Sequence, residues 1–190
     1  MFETPLWDHE FAAVQWGVVI AASLAAAFTD MRSHTIPNRL TLPLLLAGFI
    51  WAMWLGGLYG LIESLAACFV VALPFVILFV IAGGGAGDAK LMGAIGAWLG
   101  LVNGIITLVL VLAAGAVLGL AYAASKQRFW NVIYGAGQVM QLPRALFGGK
   151  KLGALAPPKE DMLVMPYGLA ILCGTTLAAL GVCTWHAHYF

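Results

Sequence analysis

The chain has 190 residues, of which 63% are hydrophobic and only 9% charged, with a formal net charge of +1 and a mean hydropathy of +0.97. A soluble domain carries about 25% charged residues, so a cytosolic globular protein is excluded, as is a disordered chain, and the near-neutral charge excludes a nucleic-acid binder. Cys68, Cys173 and Cys183 lie in apolar runs without a CxxC pair, which supports neither a disulfide framework nor a thiolate zinc site.

A bilayer core about 30 Å thick takes roughly 20 apolar residues per helix. The apolar runs are too long and too uniform for the alternating strands of a barrel. Six transmembrane helices are predicted. The first runs from about Phe11 to Thr29, and the second from about Leu40 to Gly57 with Pro43 in its first turn. The third covers Leu61 to Ile81, with a kink expected at Pro74. The fourth is short, about Ala89 to Leu101, and the fifth runs from Gly104 to Ala124. The sixth begins near Met165, with Pro166 in its first turn, and ends near Trp185. The expectation is one all-α membrane-embedded domain over residues 1–190, with a long connection at about 125–163 before the sixth helix.

Charge placement supports this map. With six crossings all nine Lys and Arg fall on one side, from Arg32 and Arg39 through Lys90 to the six in the long connection. Glu3, Asp8, Glu10 and Glu63 occupy the other side. The positive-inside rule then makes the basic side cytoplasmic and turns both termini outward. No basic stretch precedes the first apolar run, which argues against a cleaved signal peptide. Around Phe129 to Tyr134 the long connection mixes aromatic, apolar and polar residues. It fits an amphipathic interfacial segment or a basic tether equally well. Gly96 and Gly100, and Gly115 and Gly119, stand at GxxxG spacing, read as close helix packing.

Ionisable groups at membrane depth are costly and point to function. Asp30 ends the first predicted helix and Asp88 begins the fourth, both on the cytoplasmic side. Asp30 faces the negative end of its helix macrodipole, a place disfavoured by about 0.3–1 kcal/mol. The local alternatives for it are a turn residue or a partner of Arg32. Asp88 follows Gly83-Gly84-Gly85-Ala86-Gly87, and a helix N-cap is its local alternative. Such a glycine-rich strip is tolerated at membrane depth where it is buried in protein or lines a wet cavity, and it permits close backbone approach. The two helix ends favour a protonated Asp30 and an ionised Asp88, the asymmetry of an acid/base pair. His34 is read as a solvated turn residue, Asn38 and Arg39 as caps or anchors of the second helix. Lys90 either snorkels or helps keep Asp88 ionised.

Asp30-Met31-Arg32-Ser33-His34-Thr35-Ile36-Pro37-Asn38 resembles the first aspartate motif of the type IV prepilin peptidases. Gly85-Ala86-Gly87-Asp88-Ala89-Lys90-Leu91 resembles their GxGD motif followed by Lys-Leu, and Met165-Pro166-Tyr167-Gly168 the opening of their last helix. GxGD alone is shared with other intramembrane aspartic proteases; with the Asp-x5-Ile-Pro-Asn element it is specific. The resemblance implies an aspartic endopeptidase of the bacterial inner membrane. Such enzymes cut the basic leader from prepilin-like proteins at the cytoplasmic face with two aspartates and water, and need no cofactor or metal. Asp30 and Asp88 map onto the catalytic pair, with Gly85, Gly87, Lys90, Pro37 and Asn38 as supporting residues. The larger members also carry a CxxC-containing domain and N-methylate the mature end. This chain has no CxxC, so it resembles the short peptidase-only class similar to those of Tad/Flp-type pili, with archaeal preflagellin peptidases as further short relatives. The expected partners are a prepilin-like substrate and the bilayer. The contrasting readings are a proton-coupled transporter and a non-enzymatic membrane scaffold.

Overall fold

A computed structural model of the chain describes residues 9–82, 85–125 and 167–189. They form four continuous helices: α1 (His9–Ser33), α2 (Asn38–Ala82), α3 (Ala86–Ser125) and α4 (Gly168–Tyr189). Three stretches, Phe11–Ser33, Asn38–Val80 and Ala86–Ala121, are long and apolar enough to cross a membrane, and the apolar part of α4, Gly168–Val182, is shorter. The all-α architecture is that of a membrane protein. The long connection, read as an interfacial segment or a basic tether, lies outside the described residues.

α2 and α3 are each two helical arms meeting at one glycine. Gly57 has φ 57° and ψ −142°, and Gly100 has φ 72° and ψ −178°, a region open in practice to glycine alone. Residues eight apart in a straight helix are separated by about 12 Å. Yet a Cβ on Gly104 would come within 3.5 Å of the Gly96 Cα, and one on Gly60 would collide with the Ala52 carbonyl. The chain therefore doubles back at both glycines. The second and third predicted helices are one hairpin, and the fourth and fifth another, each turning on a single residue rather than on the two- or three-residue links read from the sequence. Pro74 stays within the helix, and the only break in the backbone dihedrals of α2 is at Gly57.

Side-chain contacts set the directions. Lys90 Nζ donates to Asn38 Oδ1 at 2.9 Å, and further along Trp98 Nε1 donates to the Leu44 carbonyl at 2.8 Å. The first arms of α2 and α3 thus run parallel. At the far end Glu63 Oε1 accepts from the Leu101 N–H at 3.4 Å, capping the second arm of α3 just after its reversal. Ser23 and Thr175 share a hydrogen bond of 3.3 Å between α1 and α4. Gly174 lets α4 close on Val111 of α3.

Residues 91–100 are buried without exception, so the first arm of α3 is the shaft around which the other arms gather. The buried set is rich in small residues such as Ala26, Ala52, Ala67, Ala94 and Ala97, while Phe28, Ile50, Trp54 and Phe69 are exposed. That inversion is the mark of a lipid-facing bundle. Lipid gives apolar side chains no reason to leave its surface, and small residues let helices approach closely. Gly96 illustrates it, since a Cβ there would sit 2.6 Å from the Ala67 carbonyl oxygen. The GxxxG pairs do not act as pairs, however: Gly100 is a turn and Gly119 has nothing within 4 Å.

Candidate active site

Asp30 lies in the last turn of α1, which continues past the predicted end at Thr29 to Ser33. The helix closes because His34, at φ 50°, donates its N–H to the Asp30 carbonyl at 2.8 Å, a left-handed C-terminal cap. His34 is exposed and serves the turn. The Asp30 side chain is only 7% exposed. Its Oδ2 accepts the Gly168 N–H at 2.8 Å. That amide opens α4, where N–H groups lack helical partners and the dipole is positive. The second helix thus offsets the unfavourable end of the first. Arg32 is exposed, and the carboxylate bonds the Gly168 amide instead. Glycine at 168 keeps the approach close: a Cβ would lie 3.0 Å from the Asp30 Cβ and 3.1 Å from the Ala27 Cα.

Asp88 is not the N-cap. α3 begins at Ala86, so Gly85 takes the cap position and Asp88 is the third helical residue, its N–H donating to the Gly85 carbonyl at 3.1 Å. The carboxylate folds back over Gly85, where a Cβ would sit 2.7 Å from Oδ2. Gly87 lies directly on the other motif: a Cβ there would meet the Ile36 Cβ at 2.9 Å and its carbonyl oxygen at 3.2 Å. With the Lys90–Asn38 bond, this ties the segment after α1 to the first turn of α3. Asp30 lies close enough to Asp88 for its charge to bear on the Asp88 carboxyl.

The supporting residues separate by role. Gly85 makes room for the Asp88 carboxylate, Gly87 makes room for Ile36, and Lys90 and Asn38 bond each other. Pro37 is exposed and caps α2, its carbonyl accepting from Leu40 at 3.0 Å and Thr41 at 3.4 Å. Gly83 and Gly84 lie outside the described residues. Among the described residues no group of three His, Cys, Asp or Glu is placed to hold a metal ion. The sequence reading left two neighbours out of the site. Gly168 holds Asp30, and Tyr167 lies near Asp88 with its hydroxyl over Gly115. The motif containing them was visible, but its partners are up to 138 residues away.

Fold and site together define a membrane-embedded helical bundle that carries a carboxylate pair at one end. The Type IV leader peptidase family matches residues 17–120, more than half of the chain and including both aspartates. The chain belongs to that family. Similar proteins are a prepilin leader peptidase/N-methyltransferase of Burkholderia pseudomallei strain 1026b, 39% identical over 112 residues, and one of Xanthomonas campestris pv. campestris, 32% identical over 141 residues. A third, from Aeromonas hydrophila, is 34% identical over 117 residues. These matches cover 53%, 65% and 55% of this chain and 34%, 46% and 40% of the relatives, so the chain spans less than half of their length. No solved structure matches the chain at a significant level.

Proposed function

We propose that this chain is a membrane aspartic endopeptidase that cleaves the leader from prepilin-like substrates. The observation that carries the reading is the convergence of Asp30 and Asp88 at one end of the bundle, each seated by glycine contacts, in a member of the Type IV leader peptidase family.

Six helical arms cross the bilayer, with the aspartate end at the cytoplasmic face, in keeping with Arg32, Arg39 and Lys90 at that end. The arm over residues 86–99 is about 20 Å long, short of the about 30 Å core, so the bilayer must thin or an end must be recessed. A recessed Asp88 would meet a scissile bond lying just ahead of a substrate's apolar helix. Gly85 seats the Asp88 carboxylate and Gly87 seats Ile36, which fixes the two aspartate segments against each other.

The carboxyl pair shares one proton, because two adjacent carboxylates resist double ionisation. The ionised member takes a proton from water as it attacks the scissile carbonyl, and the protonated member hydrogen-bonds the carbonyl oxygen. Lys90 and Asn38 act as a clamp that keeps the two aspartate segments in register.

The test is cleavage of a purified prepilin-like peptide, a basic leader joined to an apolar helix, in detergent. Wild type cuts it; Asp30→Asn and Asp88→Asn each lose at least about 10²-fold in rate. A transporter or a scaffold leaves the peptide whole, and full activity in either variant refutes the reading.

A further inference from the structure

Tyr167 stands one residue ahead of α4, outside both aspartate segments. Its ring is held from several sides. Phe75 of α2 meets it edge-on, centroids 5.6 Å apart and planes at 74°. Gly115 of α3 lies beneath the hydroxyl, which is the first atom a Cβ there would strike, followed by Cζ at 2.7 Å. The next residue, Gly168, donates its N–H to Asp30 Oδ2 at 2.8 Å. The backbone of Tyr167 is thereby anchored to one aspartate, while its hydroxyl lies within electrostatic reach of the other, Asp88.

Apolar packing accounts for the ring but not for the oxygen. Phenylalanine would fill the same slot against Phe75, and the bundle keeps a glycine at position 115 where the hydroxyl needs room. Helices α1, α2, α3 and α4 all contribute to placing one phenol beside the carboxylate pair.

The geometry points to Tyr167 as a third functional group of the site, its hydroxyl donating a hydrogen bond to the scissile carbonyl oxygen as negative charge develops there. This rests on the peptidase reading above. Water oxygen bonds to the carbonyl carbon while the carbonyl π pair moves onto oxygen. One carboxylate takes the water proton, and the other carboxyl gives its proton to the carbonyl oxygen. When the resulting diol collapses, the carbonyl re-forms as the C–N bond breaks, the leaving amine takes a proton from one carboxyl, and a diol hydroxyl returns its proton to the other. Tyr167 transfers no proton; its hydroxyl acts only as a hydrogen-bond donor.

The test is Tyr167→Phe, assayed on the same basic-leader peptide. Loss of one donor to a developing oxyanion costs about 10²–10³-fold in kcat, so a fall of about 10²-fold is expected, with KM and thermal melting unchanged because the ring packing remains. A second measurement needs no loss of the side chain. Replacing Tyr167 with a ring-fluorinated tyrosine acidic enough to ionise below the higher apparent pKa of the carboxyl pair moves the alkaline limb of the pH profile to lower pH, since an ionised phenol cannot donate. A kcat for Tyr167→Phe within twofold of wild type, a loss confined to KM, or an unmoved alkaline limb overturns the assignment. Asp30→Asn and Asp88→Asn separate the failures. If they are inactive while Tyr167→Phe is normal, only the tyrosine role fails; if they cut normally, the peptidase reading fails.

Discussion

A carboxylate in the last turn of a helix is repelled by the carbonyl end of the macrodipole, and Asp30 occupies that place in α1 while 7% exposed. What makes the position tenable is the Gly168 N–H of another helix at 2.8 Å. Gly168→Ala therefore strikes the site before the fold. The added methyl, 3.0 Å from the Asp30 Cβ, has to push α1 and α4 apart, and peptidase activity is expected to drop at least about 10-fold in a protein that still assembles, as checked by cleavage rate beside gel filtration. Asp30→Asn keeps an oxygen for the Gly168 amide, so it is expected to melt close to wild type while losing cleavage. The proton that the proposed mechanism shares between the two carboxyls gives the pH dependence its sign. Below the lower apparent pKa of the pair both carboxyls are protonated and none can accept; above the higher one both are ionised and none can donate. A rate measured from acid to alkaline pH therefore rises and then falls. A flat profile would remove the carboxyl pair from the chemistry.

At the scale of elements the decisive residues are the turning glycines. Gly57 and Gly17 make a controlled comparison, because an added Cβ meets nothing within 4 Å at either. Gly17 lies inside α1, whereas Gly57 holds φ 57°. Gly17→Ala is expected to stabilise the protein by about 0.5–1 kcal/mol through helix propensity. Gly57→Ala should cost about 1–3 kcal/mol through backbone strain alone. Detergent melting curves for the two variants should move in opposite directions. Gly100, at φ 72°, belongs with Gly57. These reversals also explain why predicted helix ends were displaced by a few residues. Gly57 stood at a predicted helix end and Gly100 was read as a packing glycine, because an apolar run says nothing about which residue carries a positive φ. The start of α3 was misread for a related reason. Asp88 is a good cap by type, yet Gly85 takes that place and lets the Asp88 carboxylate fold back.

For the molecule as a whole, the carboxylate pair and the turning glycines lie at opposite ends of the bundle. Arg32, His34 and Lys90 are exposed at the aspartate end, and Tyr59, 82% exposed, lies beside the Gly57 turn. In a background without Cys68, Cys173 and Cys183, a cysteine replacing His34 should react with a membrane-impermeant thiol reagent from the cytoplasmic side. One replacing Tyr59 should react only from the opposite side. Labelling of both from one side contradicts the six-crossing arrangement. The exposed belt of Phe28, Ile50, Trp54 and Phe69 against a core of alanine and glycine requires a bilayer as solvent. In water the same bundle would bury the wrong residues.

Hydropathy, breakers and charged residues are local properties, and they were legible along the chain. They determined that the protein is helical and apolar, roughly where each helical arm runs, and that Asp30 and Asp88 stand out as carboxylates at helix ends in an apolar frame. Tertiary structure alone decided that Gly168 holds Asp30, that Ile36 rests on Gly87, that Lys90 reaches Asn38 and that Tyr167 arrives beside Asp88. Arms that are apolar on every side carry no periodic stripe to say which face meets which neighbour. Those pairings came from small-residue packing between segments far apart in the chain, which only the folded bundle brings together.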